Sequence, residues 1–184
     1  MRNHYSNYTF MKTRTEQILV AMNVLSWVVF VGLLIKAGAI LLSYSVSLFN
    51  PEAAANLYKG LDLSSLRRDN LWPYLTVVSW MVALLGMKAY TAFVVTKILS
   101  KISLTNPFTM EIAQLIEKVS YLIAATWLVA FLSISNTGWL HRNGIDWRAD
   151  SDAPEFLFLA GIIFIISQVF KRGIEIQTDS ELTI

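Results

Sequence analysis

"KILSKISLTNPFTMEIAQLIEK", residues 97–118, is a polar, well-punctuated stretch set between two strongly apolar runs. How it is read decides the fold. If the break is a turn, the flanking runs become helices joined in a hairpin, and the capping chemistry favours that reading. Asn106 is a good N-cap, Pro107 fits the first helical position, and Glu111 lies near the positive end of the following helix's dipole. The stretch therefore contains the start of a helix.

Working outward, uncharged runs cover residues 17–35, 70–87, 119–140 and 156–170. A membrane-spanning helix needs about 20 mostly apolar residues, so these runs with their flanks suffice for four crossings. The last run is short, but Lys171 and Arg172 extend it by reaching their long stems to the headgroups. The four prolines agree: Pro51 follows the first run, and Pro73, Pro107 and Pro154 stand near the starts of the others, where proline is tolerated. The helices predicted are about 16–48, 71–102, 106–135 and 154–177, within a single domain over 1–184. The expected fold is an all-α integral membrane protein, a four-helix antiparallel bundle with both termini cytoplasmic.

Composition leads to the same class. Of 184 residues, 55% are hydrophobic and only 15% charged, and the mean hydropathy is +0.51; a water-soluble domain is less apolar and more charged. Orientation rests on basic residues in the short flanks. One side would hold Arg2, Lys12, Arg14, Lys97, Lys101, Lys118, Lys171 and Arg172, and the other Lys59, Arg67, Arg68, Arg142 and Arg148. Eight against five puts the termini in the cytoplasm. The run after the basic N-terminal residues is too long for a signal peptide's apolar core, so it is read as an uncleaved span.

The connection "PEAAANLYKGLDLSSLRRDN", residues 51–70, places Leu57, Leu61, Leu63 and Leu66 among charges. A short amphipathic helix lying on the membrane surface and an ordinary polar connection are both compatible with it. Trp72, Trp139 and Trp147 suit an interfacial belt. Gly32, Gly38, Ala83, Gly86, Ala124, Ala125, Ala160 and Gly161 would allow close helix contact in lipid, while Asn23, Ser26, Ser79, Ser120, Thr126 and Gln168 could bond between helices.

Lys36 and Lys88, both inside apolar sequence, and Glu117 are candidate intramembrane charges, a class that marks function by default. At about 1.5 Å per residue, Lys36 lies roughly 27 Å along from position 18, and Lys88 roughly 26 Å from position 71. Each is expected near the far end of its crossing, as an anchor or ion-pair member, with a ligand or ion path as the alternative. A hairpin folded near Leu104 would set Lys97 opposite Glu111 and Lys88 opposite Glu117.

Catalytic and metal chemistry has little to build on. The chain has no cysteine, and its two histidines, His4 and His141, stand in separate segments. The acids Asp146, Asp150, Asp152 and Glu155 lack the calcium-loop pattern, and no phosphate-binding glycine motif is present. No catalytic, cofactor-binding or metal-binding residue is assigned, and no cofactor is implied.

The "NPF" at 106–108 and the ending "VFKRGIEIQTDSELTI" at 169–184, together with four spans, resemble the bacterial membrane family catalogued as domain of unknown function 2975. That resemblance implies an inner-membrane location, no established activity, and frequent genomic neighbours that are small helix-turn-helix regulators. The resulting expectation is a non-enzymatic membrane protein presenting a cytoplasmic surface to a protein partner, built from Asn106, Pro107, Phe108, Glu111, Lys171, Arg172 and Glu175. Phe108 would supply an apolar contact to that partner or a staple against the second span. The tail after Lys171 would fold back or await the partner. Membrane lipid is a further partner, a homo-oligomer stays open, and direct nucleic-acid contact is not expected. The alternative is a small transporter, exporter or immunity-type protein using Lys36 and Lys88.

Overall fold

A computed structural model describes residues 14–50, 52, 55, 63–102, 108–142 and 154–181. They form helices α1 (Arg14–Phe49), α2 (Ser64–Asp69), α3 (Leu71–Lys101), α4 (Met110–Arg142) and α5 (Pro154–Glu181), with no strand among them. All four long helices are long and apolar enough to cross a membrane. Their surfaces fit that solvent. Phe49, Phe158, Ile165 and Val169 stand exposed where water would penalise them and acyl chains would not.

Local chemistry sets each boundary. Asn70 is extended, and its side chain accepts from the Trp72 amide at 3.3 Å, so α3 starts there with Pro73 in its first turn. Helix α5 opens on Pro154 itself. The cap of α4 differs from the expected one: Thr109 Oγ1 accepts from the Ile112 amide at 3.3 Å, and α4 begins at Met110. Asn106 and Pro107 lie outside the described residues. The threonine is in place to take the exposed amide, so the helix starts about one turn later than the Asn-Pro pair implied.

The 51–70 connection contains a real helix, but not one lying on the membrane with its apolar face in lipid. Leu63, just before α2, and Leu66 within it are buried with Ile40, Tyr74, Val77 and Val78, so both leucines dock on α1 and α3. Leu57 and Leu61 lie outside the described residues.

The long helices pack in chain order: α1 on α3, α3 on α4, and α4 on α5. Helices α1 and α5 do not touch among the described residues, so the four long helices form an open row. In lipid an apolar face need not be covered by protein, and the row has no drive to close. The glycines show the same looseness. A Cβ added at Gly32, Gly38, Gly86 or Gly161 meets nothing within 4 Å, so none of these marks a tight crossing.

Most hydroxyls stay within their own helices. Thr126, Ser133, Thr137 and Ser167 each donate to a carbonyl three or four residues back, the usual way such groups are satisfied in apolar surroundings. Of the polar residues predicted to bond between helices, Asn23 donates to Ser100 at 2.9 Å, and Gln168 to Glu117 at 3.2 Å.

Candidate functional site

The most developed polar arrangement lies where α3 ends, α4 begins and α5 leaves its apolar segment. Glu117 on α4 is its centre. Its Oε2 accepts from Lys171 Nζ at 2.9 Å, while Oε1 accepts from Gln168 Nε2 at 3.2 Å and from Tyr121 Oη at 3.5 Å. The ion pair is largely enclosed, its side chains 28% and 19% exposed for Lys171 and Glu117. Two helices are thereby tied by a carboxylate whose acceptor sites face three donors. Such a carboxylate acts as a clamp between α4 and α5.

Phe108 reinforces the clamp from the turn. Its ring lies 5.2 Å from that of Phe170 and against Gly173, where an added Cβ would be 3.6 Å from the Phe108 ring. This residue staples the tip to α5, not to the second span as the sequence suggested. It remains 44% exposed, so one side of the ring is open to contact.

The predicted charge register is displaced. Glu111 pairs with Lys101, not Lys97, and Glu117 pairs with Lys171, not Lys88. The later start of α4 moves Glu111 about one helical turn along α3, which accounts for the first change. The second follows from α5 bringing Lys171 to the face Glu117 occupies. Lys97 sits instead over the Phe93 ring at 4.7 Å, and Lys118 donates to Tyr90 Oη at 2.7 Å. Arg172 and Glu175, one turn apart on α5, pair with each other at 2.6 Å on an exposed face.

Lys36 and Lys88 lie inside helices whose ends match the predicted bounds, about 16–48 and 71–102. Helix α1 continues 13 residues past Lys36 to Phe49, and α3 continues 13 past Lys88 to Lys101, about 20 Å of helix in each case. Lys36 is exposed, and Lys88 is half-buried with no hydrogen bond or ion pair among the described residues.

At the other end of the row a second polar cluster was not foreseen. Ser47 and Tyr74 share a buried 2.7 Å hydrogen bond, and Arg67 donates to the carbonyls of Ser47 and Leu48, both at 3.3 Å. A cation there satisfies the orphan carbonyls ending α1 and opposes the negative end of its dipole. For the main site, a usable sequence signal did exist. Glu117 and Tyr121 are four apart, and Gln168 and Lys171 three apart, so each pair shares a helix face.

Among the described residues no group of three or more histidines or acids is placed to hold a metal ion. Asp146, Asp150 and Asp152 lie outside them. No protein-family model, curated protein or solved structure matches the chain.

Proposed function

We propose that this chain is a multi-pass protein of a bacterial inner membrane, with its long helices antiparallel and both termini cytoplasmic. It acts without catalysis, presenting the clamped α3–α4 tip and the α5 extension to a cytoplasmic protein. The single observation that carries this reading is the clamp. Glu117, Lys171 and Phe108 hold the tip and the extension together as one surface, whereas a tail serving only as a tether would need no such link. Helix α5 runs ten residues beyond Lys171 and exposes Ile176 among polar neighbours, the pattern of a helix awaiting an apolar groove. A small helix-turn-helix regulator, suggested by the resemblance to the domain of unknown function family, is a partner of suitable class.

The transport alternative receives less support. An apolar groove between α1 and α3 is lined by neither Lys36 nor Lys88. Photo-cross-linking from positions 108 and 176 in cells tests the proposal. Capture of one soluble protein from both positions, lost when α5 is truncated after 173, is the expected result. Adducts confined to the chain's own α4 and α5 would overturn it.

A further inference from the structure

The groove between α1 and α3 has a built polarity. Phe30 and Leu34 of α1 face Gly86, Ala89, Tyr90 and Phe93 of α3 around a cavity of about 260 Å³. Its walls are apolar, and the Gly86 position leaves open space at its floor. Two cations stand over the aromatic rings at its other end. Lys97 Nζ lies 4.7 Å from the Phe93 centroid, and Lys118 Nζ lies 5.0 Å from the Tyr90 centroid. Lys118 Nζ donates to Tyr90 Oη at 2.7 Å, and neither lysine has a carboxylate partner among the described residues.

Depth makes the pairing meaningful. Trp72 is 74% exposed and suits one headgroup region. Lys97, 25 residues further along α3, lies about 38 Å away, close to the full thickness of a bilayer with its headgroups. Residues 86–93 then occupy the leaflet next to Lys97, where acyl chains begin. An apolar slot in one leaflet, ending beneath two ammonium groups with no carboxylate partner among the described residues, is complementary in charge and shape to an anionic lipid. Anionic headgroups attract basic residues at this level, each worth roughly a fivefold gain in binding.

We propose that the α1–α3 groove binds one anionic phospholipid, an acyl chain lying along Gly86 and Phe93 and its phosphate contacting Lys97 and Lys118. Such a lipid would fill the groove that the open row leaves between its first two long helices. The site is separate from the Glu117 clamp, so it does not depend on the partner proposal.

Native mass spectrometry of the full chain in detergent tests this, with phosphatidylglycerol and phosphatidylcholine of identical chains as probes. The expected result is retention of one phosphatidylglycerol in preference to phosphatidylcholine. Lys97→Gln with Lys118→Gln should weaken that retention about thirtyfold, from two such contributions, while leaving phosphatidylcholine adducts unchanged. Gly86→Leu, whose Cβ meets nothing within 4 Å, should reduce adducts of both lipids with thermal stability retained. Equal retention of the two lipids by the wild-type chain would overturn the proposal. So would an unaltered preference in the double glutamine variant, or a dimer mass abolished by Gly86→Leu, which would make a second copy the occupant.

Discussion

Glu117 on α4 and Lys171 on α5 form the one ion pair that is largely enclosed among the described residues, 2.9 Å apart, with Gln168 and Tyr121 directed at the same carboxylate. Breaking such a pair from one side leaves a charge with reduced solvation and no partner, whereas removing both charges does not. Lys171→Met is therefore expected to lower the thermal midpoint in detergent by several degrees, and Glu117→Gln with Lys171→Met to recover most of that loss. Thermal unfolding of the two variants and the wild type checks it. A double variant no better than the single would show that the pair is not the source of the effect.

The Phe108 staple yields a prediction with two signs. Phe108→Ala removes a ring pair worth about 1 kcal/mol beyond its buried area, so stability falls. Gly173→Ala should raise it by about 0.5–1 kcal/mol: the position is helical, the added Cβ meets the Phe108 ring at 3.6 Å, an ordinary contact, and alanine is the better helix former. Denaturant titrations of both variants decide the matter. If Gly173→Ala destabilises instead, the ring stands closer to α5 than described.

The four long helices were legible because spanning a membrane demands runs of a length that few other structures use, and because Pro73 and Pro154 stand near the helix starts where the backbone tolerates them. Lateral arrangement was not. In water, polar faces reveal which side of a helix meets its neighbour; here the exposed Ile165 and the buried Ala130 sit on equally apolar faces. The open row and the Lys171 partner of Glu117 were hidden for that reason. The difference at the tip has a local origin, since Thr109 Oγ1 accepts from the Ile112 amide and α4 begins at Met110. Helix α2 was half legible, because leucines among charges are the same whether they meet lipid or the Ile40 and Tyr74 core.

The competition between caps is directly measurable. Thr109 accepts from Ile112, the third residue of α4, and removing such a cap costs about 1 kcal/mol. Thr109→Ala is expected to lose that amount, Thr109→Ser to retain most of it, and Asn106→Ala to lose less than Thr109→Ala. Hydrogen exchange at the first amides of α4 should accelerate in Thr109→Ala alone. Faster exchange in Asn106→Ala as well would extend the capping network back into the turn.

Lys88 offers the test that separates structural from functional charge. It is half-buried in an apolar stretch, about 20 Å of helix from the end of α3, and has no hydrogen bond or ion pair among the described residues. An ammonium so placed is costly in a membrane, and its replacement by an apolar chain of similar length removes that cost. Lys88→Met is accordingly expected to raise stability by roughly 1–3 kcal/mol in lipid nanodiscs, the lower part of that range applying if its stem reaches the headgroups. A gain in stability joined to a loss of cellular activity would mean that the charge is kept for what it does, and would revive the transport reading. A gain with activity intact would leave the clamp at Glu117 as the feature to pursue, and a fall in stability would show that the ammonium has a partner in the membrane.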